Sequence, residues 1–466
     1  MNRCLIKCLT FCGIIASLSV SALLAETKPL NVLFIAVDDL RPELKSYGTN
    51  EMLTPNIDRL ATKGVKFNNA FCQYPVCNPS RASFMTGLRP DELGIVSNDI
   101  ALRHKWPDIV TLPQLVRNNS YFTAGIGKLF HAGVEENNKK VFFRDDASFD
   151  HFYTARGIVP LIGKDGVGRR LGDGTVRWAT WLAAEGGDEA QMDGLVAAEA
   201  VKVLEKHHEK PFFISVGFHK PHDPFVAPKE YFEHYPLEDI QLANDPEDRT
   251  PLLEYAIPDM YNFPSFTDKD RREFKRAYQA CTTFTDTQIG KLFKVMDRLK
   301  LWDNTIVIMI GDHGYHLGEH GWWNKVTVFD LGARAPMMMW VPGEREMGQA
   351  TNSVVELLDL YPTLIDYCEL EAPHALSGAS LRTVLEAPAK EILKPAYTQV
   401  SRGQLMGRSV RTDQWRYTEW DFGREGIELY AHPQDKKEYH NLADKPDLKG
   451  IQQTLKALLE SKFPQD

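Results

Sequence analysis

Cys77 takes its meaning from the residues after it: Cys77-Asn78-Pro79-Ser80-Arg81, then Thr86-Gly87. A proline two residues after the cysteine suits the first turn of a helix, where its missing N–H costs no hydrogen bond. The cysteine would then stand at the positive end of the helix dipole, beside free backbone N–H groups. That is a place for an anion, or for a nucleophile that attacks one. Arg81, in the first turn of the same helix, adds a fixed cation. A lone cysteine at a helix start is more often a buried structural residue. The six-position pattern lifts this one above that reading.

Other candidates stand where apolar runs stop. Asn31–Val37 ends at Asp38-Asp39, Pro211–Phe218 at His219-Lys220-Pro221-His222, and Thr305–Ile310 at Gly311-Asp312-His313-Gly314. Unbroken apolar runs read as strands buried on both faces. The patterns Ala190–His207 and Arg271–Leu299 read as helices between them. Strands alternating with helices predict a mainly parallel sheet covered on both sides, with ligands bound at the carboxyl ends of its strands.

Asp38, Asp39 and Asp312 would then meet as three hard oxygen donors, more negative charge than a sheet edge holds without a cation, and oxygen donors favour calcium or magnesium over zinc. Lys128 with His131, His219 with Lys220, and Lys325 would bring a clamp for sulfate or phosphate oxygens to that edge. Taken singly, each is a solvated lysine or a satisfied histidine, and Asp38-Asp39 a cap and a turn. His316, Glu319 and His320 either line the pocket or serve their own loop, and His222 suits substrate contact and packing equally.

C-x-P-S-R followed after four residues by T-G resembles the signature of the type I sulfatases. The resemblance runs from about Asn31 to Asn441. It is nearest the iduronate-2-sulfatase-like branch, through Val37–Pro42, Gly127–His131, Phe218–His222 and Gly311–Gly314 with Lys325. It implies an α/β, alkaline-phosphatase-like three-layer sandwich with a large, mainly parallel mixed sheet, plus a small C-terminal α+β subdomain with an antiparallel sheet.

It also implies that Cys77 is oxidised by a formylglycine-generating or equivalent maturation enzyme, and that the hydrated aldehyde attacks the ester. One Ca2+ (Mg2+ being the second choice) would be held by Asp38, Asp39, the modified Cys77, Asp312 and His313. Arg81 and the metal would orient the hydrated aldehyde, and Lys128, Lys325 and the cation would carry the charge on the sulfate oxygens; His219 is the candidate acid and His131 the candidate base. The substrate implied is a sulfated carbohydrate, with the 2-position of a uronic acid residue as the branch's pointer. The alternatives are a phosphodiester or phosphonate monoester hydrolase of the same superfamily, and a glycan-binding protein on an inactive scaffold. A two-zinc phosphatase is disfavoured by the cysteine and by a shortage of further His and Asp ligands.

The remaining sequence sets bounds. With 466 residues and 43% hydrophobic composition the chain builds a sizeable core without staples. A formal charge of -9 gives no general field for nucleic acid. Arg3 and Lys7 precede an apolar stretch from Cys8 to Leu24, which reads as a signal peptide over residues 1–25, with an uncleaved anchor as the alternative. The mature chain is then exported, periplasmic or secreted, with no membrane span. Only Cys72, Cys77, Cys281 and Cys368 would remain, too few for a disulfide scaffold. Residues 26–393 are expected to form the catalytic domain and 394–466 the C-terminal subdomain, four short strands and a helix over 447–463. Pro224–Pro264, rich in proline and acid, is expected to be an irregular excursion near the site mouth.

Overall fold

The computed structural model describes residues 29–131, 134–136, 139–141, 144–155, 161–261 and 263–464. The expected signal segment, residues 1–25, lies outside them. The main sheet has eight strands: β1 (Asn31–Val37), β2 (Val65–Phe71), β3 (Phe122–Gly127), β4 (His151–Tyr153), β5 (Phe212–Phe218), β6 (Thr305–Gly311), β7 (Met337–Trp340) and β8 (Ala350–Glu356). Their spatial order is β8-β2-β7-β6-β1-β5-β3-β4, and β7 alone runs against the rest.

β1 shows why its sequence has no polar alternation. Leu33, Ile35 and Val37 pack into the core on one side of the sheet. Val32, Phe34 and Ala36 pack into the core on the other. A strand with no solvent face must be apolar at every position. α1 (Pro55–Lys63), α3 (Met192–His207) and α4 (Asp268–Arg298) cover the first side, and α2 (Cys77–Thr86) and α5 (Leu360–Tyr367) the second. This is the three-layer arrangement.

Two helix boundaries differ from the periodicity for local reasons. α4 starts at Asp268, before the expected Arg271, because Thr267 and Asp270 cap it reciprocally: Asp270 N–H donates to Thr267 Oγ1 (3.2 Å) and Thr267 N–H to Asp270 Oδ2 (2.8 Å). α3 starts at Met192 because Asp188–Ala190 forms a separate 3-10 turn.

The expected excursion at Pro224–Pro264 needs correcting at its start. Phe225–Pro228 is a fully buried strand, parallel to Thr180–Ala184 in a separate three-stranded sheet, and Lys229–Glu233 is a short helix. The prolines misled because Pro224 and Pro228 stand just before and at the end of the strand, where a missing N–H matters least.

At the C-terminus, strands Ala396–Arg402, Leu405–Arg411, Trp415–Trp420 and Ile427–Ala431 form an antiparallel sheet under α6 (Lys449–Lys462). Tyr397, Val410, Tyr417, Leu429, Leu455, Leu459 and Phe463 make a core of their own there. Arg416, almost wholly buried, ties this sheet to the main body by donating to Asp330 Oδ1 (2.5 Å), and donates as well to Glu438 Oε1 (2.5 Å) within the C-terminal part. Among the described residues, no helix is long and apolar enough to cross a membrane.

α2 ends on Gly87, whose φ of 70° returns its N–H to the Ser83 carbonyl. A Cβ there would lie 2.7 Å from the Tyr361 ring and 2.8 Å from Leu376. Gly87→Ala should therefore cost roughly 1–3 kcal/mol in denaturant unfolding. An unchanged midpoint would show that this helix end is not held as described.

Candidate active site

β6, β1, β5 and β3 lie side by side and parallel, so the residues after them arrive at one edge. Asp312 and His313 follow β6, Asp38 and Asp39 follow β1, His219 follows β5 and Lys128 follows β3. Gly217 permits the last of these approaches, since a Cβ there would stand 2.0 Å from the Lys128 carbonyl oxygen. α2 brings its first residue, Cys77, to the same edge with no solvent exposure.

Arg81 joins the strand ends. Its Nε donates to Asp312 Oδ2 (2.9 Å), Nη2 to Asp38 Oδ1 (3.3 Å), and Nη1 to the carbonyls of Lys128 and Leu129. Lys128 Nζ pairs with Asp38 Oδ2, and Lys325 Nζ with Asp39 Oδ1. The two ammoniums also face Cys77 Sγ, at 3.9 and 3.1 Å, and His313 Nε2 is 3.5 Å from it. Three buried carboxylates and three buried cations thus surround one sulfur.

Burial alone would raise Asp38, but Lys128 and Arg81 hold it well below the usual carboxylate range. Burial, and then Asp38, push the Cys77 thiol far up, which disfavours a thiolate nucleophile despite the neighbouring lysines. Burial, with Lys128, lowers His131 to about 4. Burial, with Lys220, holds His219 well below its ordinary value. Both imidazoles rest neutral.

Ligand atoms of Asp38, Asp39, Cys77 and His313 lie within 4.8 Å of one another. His313 Nδ1–H donates to the Gly314 carbonyl (2.9 Å), leaving the Nε2 lone pair 3.4 Å from Asp39 Oδ1. Asp39 Oδ2 is buried without a hydrogen-bond partner among the described residues, a costly state for a carboxylate that no cation meets. Asp312 stands beside this group. Its Oδ1 accepts Asp39 N–H (3.1 Å) and lies 3.5 Å from His313 Nε2. Asp39 (φ 61°) and Val326 (φ 71°), next to Lys325, hold a left-handed backbone that non-glycine residues adopt only at a cost.

His219 and His222 share a second donor group with Asp38, and His222 and Asp223 a third with Asp39. His222 therefore faces the site. His131 reaches it through its field on Lys128 and Asp38, with Nδ1 buried and unpartnered among the described residues. His316, Glu319 and His320 are taken up by structural hydrogen bonds, to their own loop and to residues packed on it. Glu319 takes both ends of the Arg41 guanidinium (2.9 and 3.1 Å), His316 meets Thr327 Oγ1 (2.7 Å), and His320 the Lys437 carbonyl (2.8 Å).

Two residues are not visible from sequence. Asp193, buried in the first turn of α3, accepts the backbone N–H groups of His219 (2.9 Å) and Lys220 (2.7 Å) and so positions that turn. In sequence it is an ordinary acid at a helix start. Asp223 is pushed up to about 7 by burial and by Asp39, and its only signal in the sequence is adjacency to His222.

Comparison with known proteins agrees with this geometry. Residues 30–370 match the family model "Sulfatase", and residues 318–465 match "N-sulphoglucosamine sulphohydrolase, C-terminal". Iduronate 2-sulfatase of Homo sapiens is 31% identical over 476 residues, covering 85% of this chain and 86% of that protein. A solved structure in complex with its substrate D-glucosamine-2-N,6-O-disulfate superposes with a TM-score of 0.74 at 22% identity, covering 93% of this chain and 97% of that one. The phosphonate monoester hydrolase of Agrobacterium radiobacter superposes with a TM-score of 0.76 at 21% identity, covering 93% and 95%. These two show a shared fold. The family model spans well over half of the chain, and on that match the chain belongs to the type I sulfatases, hydrolases of sulfate esters.

Proposed function

We propose that this chain removes sulfate from a carbohydrate, a 2-O-sulfated uronic acid residue being the first substrate to try, with formylglycine made from Cys77 as nucleophile and one bound Ca2+. The observation that carries this is the surrounding of Cys77 Sγ by Lys325, His313 and Lys128 within 3.9 Å. A thiol is out of place there: sulfur is a poor ligand for a hard cation, and burial suppresses the thiolate. An oxygen at the same position would complete a donor set of Asp38, Asp39, Asp312 and His313, and the unpartnered Asp39 Oδ2 fits a cation. We take Ca2+ over Mg2+, because an irregular set with an imidazole in it is far from an ideal octahedron.

The hydrated aldehyde would supply one hydroxyl to attack sulfur and a second whose deprotonation expels inorganic sulfate. The cation would supply positive charge for the sulfate oxygens. Lys128 and Lys325 hold those oxygens as charge shifts toward the leaving group, and Arg81 keeps Asp38 and Asp312 in place. His131, neutral at rest, removes the proton of the second hydroxyl. His219 donates to the departing alkoxide, and the bound anion beside it is what would raise its pKa enough to carry that proton.

Export as a periplasmic or secreted protein after cleavage near residue 25, and maturation by a formylglycine-generating enzyme, belong to the same reading. We also divide the chain near residue 393, supported by the separate apolar core of the C-terminal sheet. A phosphodiester or phosphonate substrate is the second reading, favoured by the fold shared with a phosphonate monoester hydrolase.

Three outcomes are expected. Active protein should show a loss of about 18 Da at the Cys77 peptide, thiol to aldehyde, and Cys77→Ala should release no sulfate. Full turnover by that variant would exclude residue 77 as nucleophile. A chelator should abolish sulfate release, and Ca2+ should restore it better than Mg2+; indifference to chelation would remove the cation from the proposal. On matched aryl esters, sulfate turnover should exceed phosphodiester turnover, and the reverse ratio would select the second reading.

A further inference from the structure

Beside the calcium set lies a further donor group, formed by the Asp39 carboxylate that calcium would share and by the His222 imidazole and Asp223 carboxyl, to which the reaction gives no role; ligand atoms of the three lie within 4.8 Å of one another. Asp39 turns its two oxygens to different neighbours. Oδ1 meets Lys325 and His313, on the Cys77 side. Oδ2 lies 4.0 Å from His222 Nε2 and has no hydrogen-bond partner among the described residues. Asp39 has no solvent exposure, so bulk water does not satisfy that oxygen.

The His222 ring is oriented for a ligand's role. Its Nδ1 is 2.7 Å from the Asp223 carbonyl, which can only accept, so Nδ1 carries the proton and Nε2 keeps the lone pair that faces Asp39. The Asp223 carboxyl lies alongside, with Oδ2 3.6 Å from His222 Nδ1. The His219 ring is 4.8 Å from that of His222, centroid to centroid, and its donor atom joins His222 and Asp38 in an overlapping group.

Calcium and magnesium favour oxygen-dominated sets, with a single imidazole such as His313 at most, whereas a pair of imidazoles with carboxylates suits zinc. We propose that Asp39, His222 and Asp223, with His219 as a fourth donor, form a Zn2+ site that shares the Asp39 carboxylate with the hard-cation site. Zinc there withdraws both imidazoles from the substrate, so it inhibits without displacing calcium.

The test is zinc titration of the calcium-saturated full-length protein, followed by calorimetry, with bound metals counted by mass spectrometry and Co2+ as a visible probe. One zinc per chain is expected with calcium retained. Asp223→Asn and His222→Ala should each weaken zinc binding by roughly tenfold or more and remove the Co2+ absorption, with calcium content unchanged as the control for folding. The proposal is overturned by absence of zinc binding, by one-for-one displacement of calcium, by unchanged zinc affinity in either variant, or by zinc lost in Cys77→Ala and retained in the other two. None of these readouts depends on which ester the protein hydrolyses.

Discussion

Carboxylates buried at the ends of adjacent strands repel one another, and Asp38, Asp39 and Asp312 lie together with no exposure at all. Arg81 makes this tolerable, bonded at once to Asp38, Asp312 and the carbonyl that carries Lys128. Breaking one member of such a buried set costs about 3–5 kcal/mol, because it strands the opposite charge. Much of the surrounding structure holds that guanidinium in place. α2 is buried along its whole length, Ser80 Oγ donates to the Asp312 carbonyl, and Gly87 turns the chain against Tyr361.

The C-terminal sheet contributes from a distance. Arg416 and Arg411 hold Asp330, the first residue of a short helix whose Gly332 carbonyl accepts Gly314 N–H. Gly314 lies just beyond His313, so the subdomain braces the loop that carries this candidate ligand. The turn at His219 is braced from the other side by Asp193. The charged edge is thus clamped by backbone-directed contacts from both flanks, which is what a reaction on a small anion needs of its supports.

The legible parts of the sequence are those with a single physical cause. Strands buried on both faces must be apolar throughout, so β1, β5 and β6 are visible, and with them the edge where Asp38, His219 and Asp312 meet. β2, with Lys66, Asn68 and Asn69 in it, carries no such run, and β7, though apolar throughout, is only four residues long. Phe225–Pro228 is hidden because proline reads as a breaker when it only bounds the strand. Asp193 and Asp223 are invisible for a different reason: their roles depend on which backbone or side chain lies across from them, and that is set by tertiary packing.

The central claim is that residue 77 itself attacks sulfur. A serine there keeps one hydroxyl for attack but lacks the second, whose deprotonation would expel sulfate. Intact mass spectrometry of unmodified Cys77→Ser, incubated with a sulfate ester it accepts, therefore tests the claim most directly. A stable gain of about 80 Da localised to residue 77, with one equivalent of alcohol released and no further turnover, is the expected result. Continued turnover without any sulfated protein would contradict the account.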